Sequence, residues 1–276
     1  MVRRKLADPR RQTPGQPLLN PDISALCKRY KTEDPPPRPQ MAVPSALIYH
    51  IAASFATSTI RKLHITGNLI IMAFFFLLRV GEYTPSSDQR QTVPLRKKDI
   101  RLWRGAEQLN NDADLMTLLS ADNVTICLEN QKNGDRMSTV HHQTSGDATL
   151  DPVRAVAHLL FAIRGMPDTT PLGTYHSTNG RVCQVRASAI LAAVRLAALQ
   201  CNLAAQGYDI SRIGTHSLQS GGAMALKLAG YDHDMIRKLG RWNSDTYLHY
   251  IQSQIGELTA GVARSMARLT WFRNVG

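Results

Sequence analysis

The stretch from His216 to Tyr250 gathers side chains that can act together on a phosphate ester. His216 and Gln219 stand three residues apart, so on a helix they share a face. Trp242 follows in Leu-Gly-Arg-Trp, and its indole offers a single N–H donor. Two phenols come next, Tyr247 and Tyr250. A phenol ionises near pH 10, so either one attacks only where a base or a positive field assists it. Far upstream, Arg79 ends the apolar run Phe74 to Leu78 and precedes Gly81-Glu82. Its guanidinium is a rigid fork for two phosphate oxygens, and Glu82, three residues on, is placed to orient it. Lys132 sits beside Asn133-Gly134 and carries a transferable proton. Metal-free cleavage of a phosphodiester needs these parts: an in-line nucleophile, cationic donors for the non-bridging oxygens, and an acid for the leaving oxygen.

Each residue also has an ordinary reading. Arg79 with Glu82 is, alone, an ion pair at a helix end. Lys132 is a solvated turn lysine, and Lys97 and Lys98 are rival proton donors. Trp242 is a packed indole. A lone histidine is usually structural. What favours chemistry is the joint string. HSLQSGGAMALKLAGYDHDMIRKLGRWNSDTYLHY resembles the C-terminal signature of the tyrosine recombinases, the phage-integrase family. That signature reads H-x-x-R, a Gly-Gly-Ala helix, Gly-x-Trp or Gly-His, then a tyrosine. His216, Gly221-Gly222-Ala223, Trp242 and Tyr250-Ile251 fit it, and Leu77-Leu78-Arg79-Val80-Gly81-Glu82 resembles the family's first-arginine motif. The spacing from Trp242 to Tyr250 is short for the family, and Tyr247 lies closer still. One position departs: Gln219 stands where the family has its second arginine.

The resemblance covers residues 41 to 270, and its flavour is nearest to recombinases of eukaryotic mobile elements. It implies that Tyr250 attacks a DNA phosphate to give a 3′-phosphotyrosyl link and a free 5′ hydroxyl. Arg79, His216 and Trp242 hold the phosphate, and Lys132, on a β-hairpin, serves the leaving group. It implies double-stranded DNA as partner, a homo-oligomer (a tetramer) on that DNA, and neither metal nor other cofactor. Gln219 donates hydrogen bonds but carries no charge. Loss of one preorganised donor costs about 10²–10³ in rate in other enzymes. A catalytically silent DNA-binding derivative is therefore the leading rival, and a nicking-closing activity like that of type IB topoisomerases a further one.

Composition agrees with a polyanionic partner. The 276 residues carry a net charge of +12, and each neutralised phosphate strengthens binding by releasing counterions. Charge alone does not separate nucleic acid from an acidic membrane surface. Cys27, Cys127, Cys183 and Cys201 form no Cys-x-x-Cys and suit an intracellular protein, and the basic N-terminus suits nuclear entry in a eukaryote. His141-His142 lacks metal-ligand spacing. The run Leu69 to Leu78 falls short of the ~20 apolar residues needed to cross a bilayer and reads as a buried helix.

These residues need a scaffold. Residues 1–40, rich in Pro, Arg and Gln, read as a flexible basic arm with one short helix near Ile23 to Tyr30. The arm is too short for the N-terminal DNA-clamping domain of the family, which leaves a catalytic half, a truncated gene product or a decayed copy as alternatives. Residues 41–276 read as one recombinase-like catalytic domain. Helices are expected over Ser45–Thr57 and Gly67–Gly81, then a short extended run after Pro94 within Thr92–Ile100. Val124, Ile126 and Leu128 alternate as in a half-buried strand, turning at Asn133-Gly134 and returning through Met137–His141. Asp151-Pro152 caps a helix ended by Gly165. A further helix spans Gln184–Leu203. The next opens at Thr215 or His216, with a stripe of Leu218, Gly222, Ala225 and Leu228, and closes at Gly230. A short helix follows over Asp234–Leu239, then one capped by Ser244 that carries Leu248, Ile251, Ile255 and Leu258, and a C-terminal one over Glu257–Arg268, suited to docking on a neighbouring protomer. The expected class is mainly α with a small antiparallel β-sheet (α+β).

Overall fold

The computed structural model describes residues 40–85, 92–130, 136–242 and 248, all within the unit Pro39–Gly276. Lys132, the Asn133-Gly134 turn, Tyr247, Tyr250, the arm with its helix near Ile23, and the expected helices from Ser244 and over Glu257–Arg268 lie outside the described residues. The architecture is mainly helical with a small antiparallel sheet.

Its centre is α2, Arg61–Phe75. Ile65 to Phe74 are buried on every side of this helix, as expected of a core helix. It is flanked by α1 (Ser45–Ser54), α4 (Pro152–Ala162), α5 (Ala187–Gln200) and α6 (Ser217–Leu228). Gly67 lets α2 approach the end of α1, where a Cβ would stand 2.5 Å from the Ala56 nitrogen. No helix among the described residues is long and apolar enough to cross a membrane.

The sheet runs β2-β1-β3-β4, from Glu107–Gln108, Ile100–Arg104, Asn123–Asn130 and Arg136–Gln143. Val124, Ile126 and Leu128 are buried, as their alternation requires. Thr125, on the other face, is buried too, because it joins the Trp103 indole (3.0 Å) to the His141 ring (2.8 Å). Asp151 caps α4 by accepting from the Arg154 amide at 2.8 Å, with Pro152 at the first helical position. A short α3 (Leu115–Leu119) and α7 (His233–Gly240) complete the helices, α7 capped by Asp232.

Several expectations need correction. The second helix starts six residues earlier than Gly67 and stops at Phe75, because Leu77 takes a left-handed conformation (φ 50°). The extended run after Pro94 reaches Arg96, which bridges Pro171, and then gives way to a 3₁₀ turn, Lys97–Asp99, since the Asp99 carboxylate accepts from the Arg96 amide and guanidinium. Gln184 belongs to β6 (Val182–Gln184), which pairs with β5 (Thr174–His176), so α5 begins only at Ala187. The α6 stripe fails at Leu228, which is 54 % exposed. Instead Ser217 to Met224 are buried all round, where α6 enters the core.

Candidate active site

The C-terminal end of α2 presents carbonyls that no later turn of helix can satisfy. Side chains from distant segments take them up. The His142 imidazole lies 2.8 Å from the Phe75 carbonyl, so Nε2 carries the proton. Arg241 donates to the carbonyls of Phe76 (3.1 Å) and Leu77 (3.2 Å). A cation at this end also meets the negative pole of the helix. These bonds hold the backbone where Leu77, against its intrinsic preference, turns left-handed. Immediately after that reversal comes Arg79, followed by the 3₁₀ turn Val80–Glu82.

Glu82 is the hub. Its carboxylate is buried and accepts from the Arg79 amide (2.8 Å), the Arg79 guanidinium (3.3 Å) and the Arg241 guanidinium (2.8 Å). Two arginines from opposite ends of the described fold therefore flank one acid. They differ in exposure: the Arg79 side chain keeps 15 % and Arg241 5 %. Burial pulls Arg241 below the ordinary arginine range, Glu82 opposes the fall, and the neighbouring Arg79 adds to it. Arg79 is thus the one with a face left for a ligand, and Arg241 is anchored in protein.

Arg241 leaves α7 in a left-handed conformation (φ 55°). The following Trp242 is half-buried against a small cluster of Ala42, Ala223, Met224 and Ile236. Gly240 permits this, because any Cβ there would collide with the indole. Leu248 packs on the same cluster.

His216 is the cap residue of α6, half-buried, its amide held by the Gln40 side chain at 2.9 Å. Gln219 lies in the first turn and is 4 % exposed, with Nε2 unbonded among the described residues. One turn on, Gly222 brings α6 against the Phe74 carbonyl and the Leu77 side chain, and Gly221 against Val43. By helical rise, Gln219 is about 4.5 Å and His216 about 9 Å along the axis from that contact. The end of α2, the start of α6 and the Arg241-Trp242 turn are thus assembled in one place.

Of the rival residues, Lys97 is buried and bound to Asp112 (2.5 Å and 2.6 Å) and the Met166 carbonyl (2.9 Å), so it is structural. Tyr83 is buried, its hydroxyl unbonded among the described residues and its ionisation pushed upward by that burial. It cannot be a nucleophile. Among the described residues no group of His, Cys, Asp and Glu is arranged to hold a metal. Sequence reasoning missed Arg241 and His142. Arg241 stands in the quoted Gly-Arg-Trp, but in a chain with 33 Lys and Arg it passes for surface charge.

No family model and no curated protein matches the chain. Similar solved structures include recombinases and a transposon integrase. A Flpe–Holliday junction complex has a TM-score of 0.42 and 12 % identity, covering 82 % of this chain and 49 % of that one. XerA recombinase has a TM-score of 0.44 and 15 % identity, covering 84 % and 73 %. Tn1549 transposon integrase with transposon right end DNA has a TM-score of 0.43 and 10 % identity, covering 83 % and 70 %. This chain thus spans about half the length of the Flpe chain. All three scores lie below 0.5.

Proposed function

We propose that this chain is a DNA-binding protein of the tyrosine-recombinase type, with a strand-transfer site weakened by Gln219. The observation that carries the reading is the meeting at Glu82. The arginine of the first motif and the turn bearing Trp242 lie far apart in sequence, and one buried carboxylate pins both. Phosphoryl transfer without metal requires such preorganised cations. Arg79 then binds non-bridging oxygens of the scissile phosphate, and Arg241 holds Glu82 and the end of α2 so that Arg79 points outward. His216 and the Trp242 indole supply further donors. Tyr250 attacks the phosphorus in line, forming the 3′-phosphotyrosyl bond as the bond to the 5′ oxygen breaks. Lys132 protonates that oxygen. A 5′ hydroxyl later reverses the step on a partner duplex, within a tetramer.

Gln219 favours the second reading, a DNA-binding derivative without turnover. It places a neutral, buried amide where a guanidinium is expected to face the phosphate. A nicked suicide duplex separates the two. Wild type, Gln219→Arg and Tyr250→Phe are each incubated with it and resolved by denaturing electrophoresis. A covalent adduct that Gln219→Arg increases at least about tenfold and Tyr250→Phe removes supports the weakened enzyme. DNA binding with no adduct in either wild type or Gln219→Arg supports the silent derivative. No DNA binding at low salt overturns both.

A further inference from the structure

At the opposite end of α2 from Arg79, about 22 Å away by helical rise, lies a cavity of about 430 Å³. Its size is within the range of small-molecule sites. Arg61, His64, His158, Tyr175 and His176 line it, with Ser58 and Thr59 at the rim and an apolar wall of Ile65, Phe161 and Ala162. Every polar group in that lining can donate a hydrogen bond, and no carboxylate is among them.

Arg61, His158 and His176 are poorly served by the protein. The His64 and His158 rings stand edge to face, centroids 5.1 Å apart. His158 has that ring contact and no hydrogen bond among the described residues. His64 is bonded to the Ala56 backbone and lies 3.4 Å from the Asn68 amide. Arg61 is exposed and has no ion pair among the described residues. Among the described residues His176 reaches only the Gly180 carbonyl, at 3.5 Å. The cap residue of α2 is Ile60, which has no side-chain oxygen, so the first amides of a 15-residue helix add their positive end to the same place.

We propose that this cavity binds a small phosphomonoester, its anionic head between Arg61 and His158, beside the His64 ring, and its organic part against Ile65, Phe161 and Ala162. A phosphate has oxygens enough for several converging donors, and the apolar wall has room for more than a bare ion. The inference is independent of the DNA reading, since no residue of the candidate active site takes part. Of the two imidazoles held neutral by burial, His158 would gain a proton beside the anion. The other charged groups facing them do not supply that counter-charge. Arg154 is a cation, and Asp151, across a second cavity of about 270 Å³ that also touches His158, is engaged in capping α4. Cys183 hydrogen-bonds to Tyr175.

The test is calorimetric titration of the full chain with phenyl phosphate. The expected result is saturable binding at one site that tightens as pH falls from about 7.5 to about 6, where imidazoles take up protons. Arg61→Gln, a substitution on an exposed side chain, is expected to weaken it about tenfold through loss of a charge-assisted contact. His158→Asn is expected to flatten the pH response. Absence of saturable binding, or equal binding by Arg61→Gln, overturns the proposal. So does a third pattern, in which phenyl phosphate does not bind but Arg61→Gln lowers affinity for duplex DNA, because the cavity rim then belongs to a nucleic-acid surface.

Discussion

Substituting Glu82 by Gln tests whether the paired arginines depend on a charge. The change keeps the side-chain shape and one acceptor oxygen but removes the anion between Arg79 and Arg241. Arg241 is the sensitive partner. With its side chain 5 % exposed and Glu82 at 1 %, water screens neither. Removing one member of a buried ion pair costs about 3–5 kcal/mol, because the other charge stays buried and uncompensated. The carbonyls of Phe76 and Leu77 remain to Arg241, so the lower end, about 3 kcal/mol, is expected. For a domain of this size that is a fall in Tm of about 6–12 °C. Urea unfolding followed by circular dichroism gives the free energy directly. Replacing both partners, Glu82→Met with Arg241→Met, removes the stranded charge. The pair should then cost at least about 2 kcal/mol less than the two single losses added together. A Glu82→Gln protein within about 0.5 kcal/mol of wild type, or an additive double substitution, would refute the view of Glu82 as the hub.

Three further outcomes are expected. Burial holds His64, His142 and His158 below the usual imidazole value, His158 at about 4. The folded chain then binds fewer protons than the unfolded one between about pH 4 and about pH 6.5, so the stability these rings contribute is full above about 6.5 and drains away as pH falls. Urea midpoints taken stepwise from neutral pH to about pH 5 should decline, and a flat series would contradict this. Gly222→Ala forces a methyl against the Phe74 carbonyl and Leu77; a loss of about 1–3 kcal/mol is expected in the same assay, and neutrality would mean that α6 does not seat so closely on α2. Lys97→Met removes the buried ammonium from Asp112 and the Met166 carbonyl, which should cost about 1.5–3 kcal/mol with no change in DNA affinity measured by anisotropy; weakened DNA binding in a stable protein would return Lys97 to the list of functional candidates.

What the sequence disclosed is what local chemistry writes into it. Asp151-Pro152 announces its helix because cap and first turn are adjacent residues. Val124, Ile126 and Leu128 announce their strand because one face is buried. Arg79, His216, Gln219 and Trp242 could be nominated from a string, and the structure places their segments at the end of α2 and the start of α6. What stayed hidden depends on tertiary partners. Leucine at position 77 gives no sign of a left-handed turn, since the bonds that hold it come from His142 and Arg241. Lys97 looks like surface charge until Asp112 and Met166 close over it. The pair β5–β6 is three residues a side, too short to leave a period. Lys132 and Tyr250 remain expectations, outside the described residues.

The bond from Arg241 to Glu82 spans 159 residues, and this separation sets a timetable for synthesis. At about 5–20 residues per second, the ribosome delivers the arginine roughly 8 to 30 seconds after the acid. Throughout that interval the apolar helix preceding Arg79 has no guanidinium to close its end, and a carboxylate destined for the interior must stay hydrated. The nascent chain therefore lacks this closure until residue 241 emerges, and a chain that stops short of it has no Arg241 to pair with Glu82.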